Sequence, residues 1–252
     1  MSEPFFLNLI WAWIILAFAT FLLLQKVIAP FGRHTRSGFG PLMNNIAAWL
    51  LMESVSLLTF SLFFVFGSGH KTPISWFFFV LWMLHYINRA WIYPNRQKDK
   101  RKKMPGLILI LAIGFNSMNG FVNGYYLGNL ADAYQWTWMS DPRFIMGLIL
   151  FFGGMFINMK SDNMLLALRQ PGESAYKIPK GFLFKYVSCP NHFGEIIEWT
   201  GFAIMTWNLA GLSFAIWTFA NLAPRAVAHH AWYFQHFEDY PENRKAVIPF
   251  VL

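Results

Sequence analysis

Several polar residues stand at helical spacing in a chain that is otherwise strongly apolar. Arg225, His229 and Tyr233 fall at i, i+4 and i+8, which sets a cation, an imidazole and a phenol on one helix face. That row suits a ligand carrying phosphate or carboxylate. Between Asn158 and Trp199 two more faces recur. Asn158, Asp162 and Arg169 lie at i, i+4 and i+11, one stripe if their helix runs on as far as Pro171-Gly172, which should end it. Asn191, Glu195 and Glu198 lie at i, i+4 and i+7. Acid placement near a helix N-terminus would account for Glu195, and accounts less well for Glu198 and for the matching Asn158–Asp162 face. The residues from Tyr176 through Lys177 to Gly181 read as a basic, turn-rich loop.

Two further groups sit inside apolar runs, where an ionisable residue costs about 2.5–3.5 kcal/mol on insertion scales. Glu53 is one; His85, Tyr86 and Arg89 form the other. Glu53 could pair with Arg89 or bond His85 for structural reasons alone. It could also couple to Tyr86 as a proton-donating pair, since a buried carboxyl tends to stay protonated and can orient a phenol. Asn116, Asn119 and Asn123, at i, i+3 and i+7, line one stripe that either glues helices together or lines a cavity. His229-His230 is a poor metal pair, because adjacent helical residues diverge by about 100°. Cys189 is the single cysteine, so neither an intrachain disulfide nor a cysteine-rich metal site is available. No metal is expected.

The elements that must position these groups follow from composition. Of 252 residues, 56% are hydrophobic and 13% charged, more apolar surface than a water-soluble domain of this length could bury. Apolar runs of about 20 residues that do not alternate point to an all-α polytopic membrane protein rather than a β-barrel. Phe5–Leu24 reads as an uncleaved first span. Further spans read as 43–66, 74–93, 106–129 and 143–160, and 194–237 divides at Trp207–Gly211 into two, seven spans in all. Lys and Arg cluster after the odd-numbered spans, six of them between Arg96 and Lys103, while Lys71 and Arg143 are alone on the other side. The N-terminus is therefore expected outside and the C-terminus in the cytosol. The formal charge of +8 is explained by that bias, so no nucleic-acid partner is expected. No linker or repeat divides the chain, and one transmembrane domain over 1–252, acting as a monomer in the lipid bilayer, is expected.

There is no G-x-G-x-x-G following a strand, no P-loop, no H-E-x-x-H and no Ser-His-Asp arrangement. Residue by residue, the sequence describes a polar cavity for an anionic ligand in a membrane protein. As a pattern it resembles the steroid 5α-reductase family, 3-oxo-steroid 4-dehydrogenases that use NADPH. The resemblance rests on Phe31-Gly32-Arg33-His34-Thr35, Glu53, Leu84-His85-Tyr86 with Arg89, Asn119-Gly120 and Gly124 to Leu127. It continues through most of Asn158–Trp199 and through Arg225, His229, Tyr233, Phe237 to Pro241 and Arg244 to Ala246.

The resemblance implies seven transmembrane helices with NADPH held near the cytosolic face. It implies cofactor contacts from Asn158, Asp162, Arg169, Lys177, Asn191, Glu195, Arg225, His229 and Tyr233. Glu53 and Tyr86 would hold the C3 ketone of a 3-oxo-Δ4 steroid, with Asn119 as a further substrate contact, while hydride reaches C5. The membrane would be endoplasmic reticulum in a eukaryote or the inner membrane in a bacterium. The chain departs from the family pattern at Met52, where Gln is common, at Phe31 for Tyr, and at Lys177 for Arg. Competing readings are a sterol, polyprenol or enoyl-CoA reductase of the same superfamily, a membrane methyltransferase of the isoprenylcysteine type, and a lipid-binding protein without catalysis.

Overall fold

Backbone surrounded by hydrocarbon has no water to satisfy its N–H and C=O groups, so apolar runs of this length close their bonds internally and become helices. A computed structural model describes residues 1–170, 173 and 175–252. In chain order its long helices are α1 Glu3–Lys26, α2 Asn45–Val65, α3 Pro73–Ile87, α4 Gly106–Tyr125, α5 Pro142–Ala167, α6 Pro190–Thr206 and α7 Leu209–His236. Wider π-helical turns, Asn88–Ile92 and Tyr126–Leu130, continue α3 and α4. Two short antiparallel strands, β1 Leu42–Asn44 and β2 Lys103–Pro105, pair Leu42 with Pro105. A helix therefore forms at every span read from the sequence. Among the described residues four helices qualify as membrane-crossing by length and apolarity: α1, α2, α4 with its wide turn, and α5. Their flanks leave Ile15, Leu58, Ile110 and Ile149 about two-thirds exposed, an apolar surface that a bilayer would cover. The shorter α3 and the more polar α6 and α7 fall outside that group, and α6 and α7 carry the polar faces described above.

The chain divides into two compact units, Met1 with Ala29–Asp141 and Ser2–Ile28 with Pro142–Leu252. In the first, α2 and α4 approach backbone to backbone along Gly120, Gly124 and Gly128. A Cβ at Gly124 would stand 2.6 Å from the Phe60 carbonyl oxygen, the close approach that small residues at fourfold spacing allow between membrane helices. The strand pair ties the starts of these helices together, and Asn44 caps α2 by accepting from the Ala47 N–H at 3.1 Å.

In the second unit α5 and α6 are zipped by glycines spaced seven apart on both helices, Gly147 and Gly154 against Gly194 and Gly201. A Cβ at Gly147 would lie 2.6 Å from the Gly201 carbonyl oxygen, and one at Gly201 would lie 2.5 Å from the Phe151 nitrogen. The break at Trp207 is a tight turn. Trp207 takes a left-handed backbone (φ 45°), and Asn208 caps α7 by accepting from the Gly211 N–H at 2.8 Å. One expected feature changes. Helix α5 stops at Ala167, so Arg169 does not continue the Asn158–Asp162 stripe. The expected stop at Pro171-Gly172 lies outside the described residues.

Candidate functional site

The glycine zipper determines what the polar faces of α5 and α6 can do. Gly154 and Asn158 are one turn apart on α5, and a Cβ at Gly194 would run into the Asn158 backbone. Asn191 and Glu195, flanking Gly194, are thereby brought against the other face. Asn158 Nδ2 donates to the Asn191 carbonyl at 3.0 Å and to Glu195 Oε2 at 3.3 Å, and Asn191 Nδ2 donates to Asp162 Oδ1 at 3.0 Å. Asn158 and Asp162 are each 4% exposed. Four of the residues singled out from sequence thus form one part-buried network that carries two carboxylates, groups that accept hydrogen bonds.

Beyond α5 the chain supplies a second set of donors. The Arg169 guanidinium lies 4.5 Å from the centre of the Tyr176 ring, and Tyr176 meets Trp232 of α7 edge-on at 5.0 Å. Tyr176 was not singled out as a site residue from sequence, since nothing in its spacing marks it as the shelf for Arg169. Lys177 is paired to Glu173 at 2.8 Å. That bond, followed by the Gln170 backbone N–H, holds the Glu173 carboxyl below the usual carboxylate range. The contact is therefore present above the ordinary carboxylate pKa and is lost as pH falls through the lowered one.

On α7, Arg225 donates to Asn221 Oδ1 at 3.1 Å. The His229 ring is centred 5.8 Å from that of His192 on α6, and Tyr233 is almost fully buried. Arg244 is the most telling group outside the expected set. It is 5% exposed and donates one Nη to the Pro179 carbonyl at 2.9 Å, and its Nε and other Nη have no hydrogen-bond partner among the described residues. A buried guanidinium with idle donors signals an anion, because burying unpaired charge is costly. The donor set of this unit fits a phosphate-bearing dinucleotide.

The first unit holds the other expected groups. Tyr86 on α3 is 3% exposed, packed against the rings of Trp82 at 5.2 Å and His85 at 5.0 Å. Glu53, half-buried, follows Met52 on α2. Arg89 lies over the Trp49 and Tyr93 rings at 4.6 and 5.2 Å. The three amides of α4 divide in role. Asn116 donates to the Met52 carbonyl at 2.7 Å, and Asn123 donates to the Asn119 side chain at 3.2 Å. The first bond ties α4 to α2, and the second stays within α4. Asn119 is fully buried, and its own Nδ2 has no hydrogen-bond partner among the described residues. Phe31 packs against the apolar cluster that contains Met52, Trp49 and Met104. Two of the departures from the family pattern therefore share one cluster, and two polar groups are absent together.

A separate cleft of about 900 Å³ opens among α1, α6 and α7. It contains none of the expected site residues. Its polar side chains are engaged locally, Thr200 with the Ile196 carbonyl and Asn208 at its cap, so it offers apolar contact only.

The sequence pattern of a family described as 3-oxo-5-alpha-steroid 4-dehydrogenase matches residues 102–252. The chain is 42% identical to a steroid 5-alpha-reductase of Gossypium hirsutum, covering 94% of this chain and 93% of that protein. It is 40% identical to 3-oxo-5-alpha-steroid 4-dehydrogenase 1 of Bos taurus (92% and 91% covered) and 37% identical to that of Homo sapiens (92% and 90%).

Proposed function

This chain belongs to the steroid 5-alpha-reductase family and is an oxidoreductase, and on that premise we propose that it reduces the C4–C5 double bond of 3-oxo-Δ4 steroids with NADPH. The observation that carries the reading is the family match over 102–252, which contains every residue of the proposed cofactor set. Asn158, Asp162, Asn191 and Glu195 would hold the cofactor's polar groups from α5 and α6. Arg169 and Lys177 would meet its phosphates from the loop, and Arg225, His229 and Tyr233 would close it from α7. Bound there, NADPH supplies the hydride that C5 accepts.

The remaining chemistry is assigned to Tyr86, Glu53 and Asn119. Tyr86 donates a hydrogen bond to the C3 oxygen and stabilises the negative charge that builds there as C5 is reduced. Glu53 orients the phenol. Asn119 adds an amide donor to the substrate, and the low exposure of Tyr86 and Asn119 keeps water from these bonds. The family match extends from the first unit into the second, which supports one transmembrane domain. Seven crossings, an outside N-terminus and a cytosolic C-terminus follow from the charge bias, in endoplasmic reticulum or a bacterial inner membrane and as a monomer.

The test is NADPH oxidation by the purified protein with a 3-oxo-Δ4 steroid, with the configuration at C5 determined in the product. A 5α product supports the reading, and no steroid-dependent oxidation would sink it. A second reading, an enone reductase acting on a different apolar substrate, is favoured by the shared apolar surroundings of Phe31 and Met52. Under it, the same assay responds to a sterol, polyprenol or enoyl thioester and not to the steroid.

A further inference from the structure

One buried hydrogen-bonded chain in the second unit is not accounted for by the cofactor set or by substrate. Ser188, 3% exposed, has its Oγ 2.6 Å from His230 Nδ1 and 2.7 Å from the Tyr240 hydroxyl, and Tyr240 is itself 3% exposed. A serine this close to an imidazole invites comparison with an activated nucleophile. The hydroxyl is buried, however, and both contacts of its oxygen are occupied by side chains, so no room is left for an attacked carbonyl. A serine hydroxyl has one proton to give, so the three groups form a directional chain. With the imidazole proton on Nε2, Tyr240 donates to Ser188 and Ser188 donates to His230.

The position of this chain suggests its purpose. Helical geometry turns His230 about 100° away from His229, which explains how neighbouring imidazoles serve different partners. The Tyr240 ring lies parallel to that of Tyr233, 7° between planes and 4.9 Å between centres. His230 and Phe234 meet Tyr240 edge-on at 6.1 and 5.1 Å, and the Arg244 guanidinium sits 5.0 Å from its centre. Backbone bonds fasten the same region. Ser188 N–H donates to the Lys245 carbonyl at 2.8 Å, Lys245 N–H to the Tyr186 carbonyl at 2.8 Å, and Cys189 N–H to the Ala246 carbonyl at 3.0 Å. The segment after α7 is thus folded back and bolted to the start of α6.

We propose that Ser188, His230 and Tyr240 are positioning residues that fix the ring of Tyr233, through the Tyr240 stack, in the orientation the cofactor site needs. The inference rests on the proposed cofactor reading of Tyr233. It assigns Ser188, His230 and Tyr240 a place behind the site rather than in it. Tyr240 presents a flat face to Tyr233, and the hydroxyl bond to Ser188 stops that face from rotating. Removing the hydroxyl alone loosens the stack without deleting it.

The test uses full-length purified protein with two readouts, equilibrium NADPH binding by fluorescence and steady-state kinetics for cofactor and steroid separately. Tyr240→Phe keeps the ring and removes the bond, Ser188→Ala removes both bonds, and His230→Ala is compared with His230→Asn, whose amide can occupy the Nδ1 position. Ser188→Ala is expected to weaken NADPH binding roughly three- to tenfold, the effect of one or two lost buried hydrogen bonds. Steroid KM and kcat at saturating NADPH stay near the parent values. Tyr240→Phe shifts binding in the same direction, and His230→Asn recovers most of what His230→Ala loses. Parental NADPH affinity in Ser188→Ala and Tyr240→Phe would overturn the proposal. So would a uniform loss in both substrates and in melting temperature, which would mark the chain as a folding element only. If the parent protein itself binds no NADPH, the cofactor reading fails, and the positioning role falls with it.

Discussion

Tyr86 and Asn119 are the residues on which substrate chemistry should turn, and their surroundings make distinct demands. Tyr86→Phe preserves a ring that packs on Trp82 and deletes only the hydroxyl. Steroid reduction should fall by about 10²–10³-fold, the scale of losing a principal oxyanion donor, while NADPH affinity holds. Single-turnover assays with saturating cofactor check this, and unchanged turnover would exclude the phenol as donor. The Asn119 amide has a donor to spare and accepts from Asn123, so Asn119→Leu should raise steroid KM and also lower melting temperature, whereas Asn123→Leu should lower melting temperature alone. Met52 and Phe31 make a coupled case. Met52→Gln places an amide in an apolar cluster and should destabilise the protein by about 1–3 kcal/mol. If the polar groups act as a pair, Phe31→Tyr added to it should recover part of that loss, and a double-mutant cycle on thermal stability measures the recovery.

At the level of elements, the α5–α6 glycine zipper is what makes a binding face out of two polar stripes. Gly194→Ala pushes a methyl into the Asn158 backbone, so the helices must part and the Asn158–Asn191–Asp162 bonds must lengthen. NADPH affinity should drop at least tenfold together with a lower melting temperature, as overpacking of a close contact implies. Gly153→Ala on the same helix meets nothing within 4 Å and serves as the control, with affinity and melting temperature unchanged. The turn at Trp207–Asn208 is a second checkable joint. Asn208→Ala deletes the cap of α7 and should cost about 1 kcal/mol, measured as a shift in the denaturation midpoint without a change in cofactor affinity.

For the molecule as a whole, charge distribution is the feature with a topological consequence. The cationic run Arg96–Lys103 follows α3, and Lys71 precedes it. With the native thiol of Cys189 buried, single cysteines can report sidedness. Lys100→Cys is expected to react with a membrane-impermeant maleimide only from the cytosolic side, and Lys71→Cys only from the opposite side. Labelling of both from one side would overturn the seven-crossing arrangement. Membership of a steroid-reducing family suits a membrane protein, since its substrates are apolar and concentrate in lipid.

The sequence by itself determined the helices, because runs of apolar residues in hydrocarbon have only one way to satisfy their backbone. It also determined the family and most of the candidate residues, because helical spacing places Asn158 with Asp162 and Arg225 with His229 without knowledge of neighbours. What the spacing could not express is which faces meet. Small residues set helix separation through contacts between segments distant in the chain, and only the tertiary structure pairs Gly154 with Gly194 and so closes Asn158 onto Asn191. The same limit hid the Tyr176 shelf under Arg169, the idle donors of Arg244 and the Ser188–His230–Tyr240 chain, each made by residues with no periodic relation. Nor does periodicity show where a helix stops: α5 ends at Ala167, and Arg169 meets the Tyr176 ring instead of continuing the stripe. Periodicity reports one helix at a time, and a site is the product of several.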